Sequence, residues 1–286
     1  MKYHQFLVAF LLVVNSIFAQ ADVENRLLWK VTKGDQEAYL YGTIHISCNA
    51  ELNPKVKDAL TQSDELILEI DLSDPSLQMR MMQQMMLPDQ KDASDYLSDE
   101  NYQLLKKYVD ENVNTVPSFE MVKNMKPILL SSMITQSLLT CTNQAGYDQL
   151  LLQKAQQKNI PISGLETVDE QISALDKIPA KDVYEEVVES IKNDQQEDIE
   201  MLNQMMQYYN DANLVALKKL FDESDSIIND FSDVALHERN KNWIPIIKEK
   251  MIGKKAFIAF GAAHLIGEKG VIQLLRNEGY KVKPVR

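Results

Sequence analysis

Three features of the chain predict an α/β fold. Strand-like apolar runs lie near both ends, helical periodicity dominates the middle, and a glycine-x-x-histidine motif follows a strand-like run twice. Strands drawn from both ends of a chain, with helices between them, pair into one sheet covered by those helices. The expected architecture is therefore a central mixed β-sheet formed by N- and C-terminal strands and flanked by helices. A mainly helical middle insertion is expected around residues 76–158 and 179–251, within a single domain spanning 22–286.

Residues 1–21 stand apart from that fold. Lys2 supplies a positive start, Phe6 to Phe18 is mostly apolar, and Ala19–Ala21 is a small-x-small cleavage site, the layout of a secretory signal peptide cleaved after Ala21. The alternative is a membrane anchor that stays attached, but the apolar run falls short of the roughly 20 residues a bilayer span needs, and no later stretch is apolar enough for one. The expected location is therefore periplasmic or secreted, with no stable membrane span after cleavage. Removing the leader takes away one lysine and no acid, moving the net charge from −12 to −13. Phosphate contacts need clustered lysine and arginine, so so acidic a chain is expected not to bind nucleic acid. Both cysteines, Cys48 and Cys141, survive processing. In an exported chain such a pair reads as one disulfide, with a thiolate metal ligand as the alternative.

Taken in order, Leu27–Val31 and Glu37–Tyr41 flank a stretch with turn chemistry, Thr32–Gln36, and read as a β-hairpin. Val56, Ala59 and Leu60 recur at helical spacing within Pro54–Ser63. Glu65–Asp71 reads as a buried strand whose alternation places Glu65, Ile67, Glu69 and Asp71 on one face. Asp74-Pro75 opens a helix running to Leu87. Its five methionines read first as adaptable core packing and second as a surface for varied apolar partners. Ser98–Glu111, Phe119–Thr140 (interrupted near Pro127) and Gly146–Lys158 are further helices. Ile160–Ser163 is a short strand, after which Thr167 and Glu170 have capping-box spacing. Pro179–Met251 is helical, with breaks near Asn210-Asp211 and Asp222–Ser226. The end is a strand, Ala256–Phe260, a loop from Gly261 to Gly267, a helix over Gly270–Glu278 and a strand over Tyr280–Val285. That unit favours parallel pairing of its two strands.

The chemistry concentrates at strand ends, the usual building ground for sites in α/β proteins. Gly42–His45 and Gly261–His264 each follow a strand, and they hold two of the three histidines outside the leader. Glu69 and Glu166 share that placement. Imidazole and carboxylate are ligands for Zn, Mn, Fe or Co, and two histidines with a carboxylate can leave a position open for water. A second carboxylate can then take the water's proton. Each glycine allows a tight turn or a close backbone approach. Read singly, these residues are equally compatible with structural histidines and solvated strand carboxylates.

Six blocks occur in a fixed order: Tyr41–His45, Leu68–Pro75, Gly164–Gln171, Glu238–Asn240, Phe260–Gly267 and Glu278–Val282. Together they resemble the TraB/GumN family, which also contains the Tiki-type metalloproteases. The resemblance covers nearly the whole chain beyond the leader. It implies an α/β fold and an exported metal-dependent hydrolase, in particular a peptidase acting on peptides or proteins. It assigns His45, Glu69 and His264 to a divalent metal (Mn, Co or Zn) and makes Glu166 a second acid, either a further ligand or the general base that activates water. Arg239 becomes a cleft residue that stabilises an oxyanion or a substrate carboxylate, against the alternative of a structural ion pair. Asp71 becomes a residue orienting a histidine. The family also includes proteins associated with pheromone shutdown and conjugation, so two other readings accompany hydrolysis. One is a non-catalytic protein that sequesters a peptide signal; the other is a periplasmic metal- or haem-binding protein.

Overall fold

The computed structural model describes residues 25–224 and 226–286. The expected leader and its cleavage site lie outside them. Leu28–Lys33 (β1) and Gln36–Thr43 (β2) form the expected hairpin, in register from Leu28 opposite Tyr41 to Lys33 opposite Gln36. Gly34 takes φ +58° in the tight turn, a conformation that costs glycine little. Ser47–Cys48 (β3) pairs with Gln144–Ala145 (β5) in a separate two-stranded sheet. Glu65–Leu68 (β4), Ile162–Gly164 (β6), Ala256–Gly261 (β7) and Lys281–Pro284 (β8) complete the main sheet. Its order is β6-β4-β7-β2-β1-β8. The mixed α/β architecture expected from the sequence is the one observed.

β2 and β8 differ from expectation in ways that follow from their neighbours. β2 runs on to Thr43 because β7 pairs with it in parallel as far as Thr43 opposite Gly261. β8 points the same way as β7 but does not pair with it; it lies antiparallel to β1 at the far edge. The hairpin already occupies the edge of β7 that β8 would have used.

Pro54–Thr61 (α1), Leu77–Gln84 (α2), Asp99–Asn112 (α3), Pro127–Ser137 (α4), Tyr147–Lys158 (α5) and Val168–Leu175 (α6) punctuate the first half. Ala180–Lys192 (α7), Gln196–Asn210 (α8), Leu214–Asp222 (α9), Ile227–Asp230 (α10), Glu238–Lys250 (α11) and Val271–Asn277 (α12) follow. A break between α7 and α8 escaped the sequence reading. There Asp194 and Gln195 both take φ +53°, which apolar periodicity does not register. Between α10 and α11, Asp233–His237 forms a π-helical turn. No helix among the described residues is long and apolar enough to cross a membrane.

Two apolar clusters form. The first buries the sheet against α1, α5, α9, α11 and α12. The second joins Leu105 and Val109 of α3, Leu130 and Ile134 of α4, and Tyr184, Val187, Val188 and Ile191 of α7. The methionines of α2 join neither as fully buried residues. Met79 and Met82 are 66% and 64% exposed, and α2 buries no residue. Core packing was the first reading of that stripe, and it is corrected here. Helical spacing shows that side chains share a face, but only tertiary packing decides whether another layer covers it.

At the lower end of β4, buried Glu65 accepts hydrogen bonds from Lys250 (2.8 Å), Lys254 and Ser163 (2.5 Å). Burial opposes its charge, but the two lysines and the serine outweigh that and hold its carboxyl at about 2, well below the ordinary 4.5. A depressed folded-state pKa adds stability above about pH 4.5 that disappears as the pH falls toward 2. After allowance for solvent around the lysines, Glu65→Gln should cost about 1–2 kcal/mol at pH 7. The difference from wild type should vanish by about pH 2, as measured by urea unfolding across that range.

Candidate active site

Four parallel strands, β2, β4, β6 and β7, end on one edge of the sheet. His45, Glu69, Glu166 and His264 lie in the residues just beyond those ends, where an open α/β sheet presents its crevice. The two glycines of the histidine motifs serve close approach. A Cβ at Gly42 would stand 2.5 Å from Leu265 Cδ1 and 3.1 Å from Ala262 Cα, so the first motif packs directly against the second. A Cβ at Gly261 would lie 3.4 Å from Glu69 Oε1, 3.6 Å from His264 Cδ2 and 4.0 Å from His45 Nε2. The three residues assigned to a metal therefore converge on the space in front of Gly261.

Glu69 and Glu166 are brought together by backbone pairing that outlasts the strands, with the Glu166 N–H donating to the Glu69 carbonyl at 2.9 Å. β4 itself stops at Leu68, short of the expected Asp71, and its chain then passes over Gly164. A Cβ on Gly164 would come within 2.8 Å of the Asp71 nitrogen. The expected alternation holds for Glu65 and Glu69. Glu65 and Glu69 both meet α11, through Lys250 at one end and Arg239 at the other.

Arg239 is the hub. Its Nη2 donates to Glu69 Oε2 at 2.7 Å and to Glu166 Oε1 at 2.6 Å, while Nε reaches Glu166 Oε1 at 3.0 Å. Its Nη1 donates to the Ala235 carbonyl at 2.9 Å and faces His264 Nε2 at 3.3 Å. Ala235 belongs to the π-helical turn, a widened coil of a kind that recurs at functional sites. Gln171 donates to both glutamates, at 3.0 and 3.2 Å, from the first turn of α6. That turn is set by the capping box expected from the sequence: Thr167 Oγ1 accepts from the Glu170 N–H, and Glu170 Oε2 from the Thr167 N–H.

The environments push the two acids apart. Burial opposes charge on Glu69, yet Arg239, His45 and the Gly261 N–H (2.8 Å) together hold its carboxyl well below the ordinary range. For Glu166 burial wins: its carboxyl is raised despite Arg239 and the Trp243 indole N–H at 3.1 Å. Such a divergence is the mark of a pair able to play different proton roles.

The histidines differ as well. His264 is buried, and desolvation pulls its imidazole down to about 3. Its ring stacks on Trp243 with centroids 4.5 Å apart. His45 is exposed (72% of its side chain), and its Nδ1 meets Asp148 Oδ2 at 3.0 Å. The Asp148 carboxylate raises that imidazole above its ordinary range. Thr43 donates to the other Asp148 oxygen at 2.9 Å.

Asp148, Asn240, Trp243 and Gln171 therefore join the site although the sequence reading gave them no role. Asn240 adjoins Arg239 and Trp243 lies one helical turn on, so they share a face of α11, and that spacing was visible beforehand. Nothing in the sequence signalled Asp148. Asp71 does not orient a histidine; it accepts from the Ser73 N–H and hydroxyl at 2.9 and 2.6 Å and stabilises its own turn. His237 stands apart, paired with Asp233 at 2.8 Å. Cys48 and Cys141 form a disulfide, which removes the thiolate-ligand reading and ties the loop after His45 to the segment before Asp148.

As placed, no three His, Cys, Asp or Glu side chains among the described residues close into a metal-binding group. The donor chemistry nevertheless fits a divalent ion: imidazole and carboxylate converge in front of a glycine. Among the described residues no buried side-chain nitrogen or oxygen lacks a hydrogen-bond partner. The guanidinium thus supplies the cation that Glu69, Glu166 and His264 share.

Fold and site together define an α/β protein with two strand-end histidines and two acids held by a buried arginine. The chain belongs to the TraB/PrgY/gumN family, which it matches over residues 27–284. It is 27% identical over 250 residues to the uncharacterized protein YbaP of Escherichia coli (strain K12), covering 85% of this chain and 89% of that one. It is 23% identical over 318 residues to metalloprotease TIKI1 of Danio rerio, covering 92% of this chain and 64% of that protein. Metalloprotease TIKI1 of Homo sapiens is 22% identical over 316 residues, with 91% and 62% covered. The chain thus spans slightly under two thirds of the length of these Tiki relatives. No solved structure matches it.

Proposed function

We propose that this protein is an exported metal-dependent hydrolase that cleaves peptide bonds in peptide or protein substrates. The observation that carries the reading is the convergence of His45, Glu69 and His264 on the space in front of Gly261. Two buried carboxylates beside it are balanced by a single guanidinium. His45, Glu69 and His264 would hold Mn, Co or Zn. Such an ion, when bound, polarises a carbonyl and lowers the pKa of its water.

The residues then divide the work. Glu166 is the proton acceptor, because burial moves its carboxyl upward toward the range useful near neutral pH. Gln171 and Trp243 hold its oxygens in place. Arg239 has its donors committed to Glu69, Glu166 and Ala235, and so serves as the counter-charge that keeps both acids ionised and oriented. The Tiki relatives' name supports a peptidase over other hydrolases. So does a cleft of about 370 Å³ beside Glu166, whose apolar lining, Ile70, Leu77, Leu165, Val168 and Ile246, suits an apolar side chain. Export rests on the leader, and a formed disulfide suits an oxidising compartment.

The test is metal analysis and peptide cleavage on purified protein reconstituted with Mn, Co or Zn. His45→Ala and His264→Ala should each lower cleavage at least 100-fold, on the order of losing a metal ligand, and reduce bound metal in step. Cleavage that survives exhaustive chelation and both substitutions overturns the reading. Stoichiometric peptide binding without product would move the protein to the sequestering class.

A further inference from the structure

We infer that Asn240 is a positioning residue that locks His264 as the Nδ1–H tautomer, leaving the Nε2 lone pair turned toward Arg239 and Glu69. The orientation of the Asn240 amide is determined by its other partner. Its Nδ2 donates at 2.9 Å to the backbone carbonyl of Lys269, a group that can only accept. Turning the amide over would set two acceptors against each other. Asn240 Oδ1 is thus the atom that meets His264 Nδ1 at 2.6 Å, and an amide oxygen has no proton to give. The hydrogen lies on Nδ1, and Nε2 is the acceptor.

Two further contacts agree with that assignment and a third holds the ring in place. Arg239 Nη1, which is only a donor, lies 3.3 Å from His264 Nε2. Glu69 Oε1, 4.0 Å away, is occupied by the Gly261 N–H and makes no close contact with Nε2. Trp243 packs against the imidazole with the rings tilted by 37°. Asn240 is 1% exposed and stands one residue after Arg239 on α11, so a single helical turn positions both the counter-charge and the tautomer lock. A neutral amide suits this place better than a carboxylate, which would face the Lys269 carbonyl with no donor and add another buried negative charge.

The consequence for metal binding rests on the hydrolase reading; the tautomer does not. A histidine that ligates through Nε2 is normally held by a partner on its other nitrogen, and loss of such a partner weakens metal binding 10–100-fold. The protein, labelled with ¹⁵N and free of metal, gives the tautomer by long-range ¹H–¹⁵N correlation of the histidine rings, with His264 assigned through its contacts to Trp243. Wild type should show an unprotonated Nε2 and a protonated Nδ1. In Asn240→Ala the Nε2–H form should appear, and calorimetric titration with Zn²⁺ or Mn²⁺ should show at least tenfold weaker binding. An Nε2–H tautomer in wild type overturns the inference whether or not metal binds. So does Asn240→Ala with an unchanged tautomer, even if its melting temperature falls, because that variant would show only a structural role. If neither protein binds metal but the tautomer shifts as expected, the positioning role stands and the hydrolase reading falls.

Discussion

Arg239→Ala should destabilise the protein by about 3–5 kcal/mol, the loss typical when one partner is removed from a buried ion pair. The reason lies in what the substitution leaves behind. Glu69 and Glu166 are both buried, and Arg239 is the guanidinium that joins them. Without it each must lie charged and poorly paired in a low-dielectric interior or take up a proton on folding. The second route makes the defect depend on pH. The carboxyls rise in pKa once the guanidinium is gone, so the loss is largest near neutrality and shrinks as the pH falls and both become neutral. Urea unfolding of wild type and variant between pH 7 and pH 4 measures this directly. Adding Glu166→Gln to Arg239→Ala should recover part of the loss, since it removes one orphaned charge, and a double-mutant cycle gives the coupling. Arg239→Lys should fall between, because an ammonium cannot span two carboxylates with the planar fork of a guanidinium. A loss below about 1 kcal/mol for Arg239→Ala would show that the pair carries no such weight.

The second large effect is expected at the disulfide. Cys48 and Cys141 are 93 residues apart in sequence. In the chain-entropy account, closing a loop of that length stabilises the fold by about 4–5 kcal/mol, and measured values for native bridges run about 2–5. The bridge also matters locally. The Asn49 N–H donates to the Asn143 carbonyl at 2.8 Å and the Tyr147 N–H to the Ile44 carbonyl at 3.1 Å, so the bridged segments carry His45 on one side and Asp148 on the other. Cys48→Ser with Cys141→Ser should therefore lower the melting temperature by several degrees or more. It should also loosen the His45–Asp148 contact, seen as a fall in the pKa of His45 toward that of a free imidazole in NMR titration. Equal melting temperatures with and without reductant, with free thiols verified by mass, would contradict the first expectation. An unchanged His45 titration would contradict the second.

How much of the site was legible beforehand depends on the kind of signal each residue leaves. The two histidines announced themselves because glycine, a strand and an imidazole recur together at both ends of the chain. The structure adds why the glycines are there: Gly42 yields to Leu265 and Ala262, and Gly261 yields to the converging side chains. The capping box at Thr167 was equally plain, being a contact between residues three apart. Asp148 left no trace, because its partner His45 is 103 residues away and an aspartate early in a helix reads as ordinary helix chemistry. The methionines of α2 show the opposite failure. Their spacing is clear, but periodicity cannot reveal which side of a helix another layer will cover.

Local pattern by itself determined the α/β class, the hairpin, most of the helices and the placement of four chemical side chains at strand ends. These depend on periodicity, caps and turns, which act over a few residues. Tertiary structure alone decided the rest. It set β8 against β1 and made Arg239 the shared cation of two acids. It also paired His45 with Asp148 and His264 with Asn240. Each of those outcomes is a contact between residues far apart in sequence, and at Arg239 and His264 it is selected by whether a buried polar group finds its partner once the sheet has closed. That requirement belongs to the folded interior, where an unpaired charge or hydrogen-bonding group is costly.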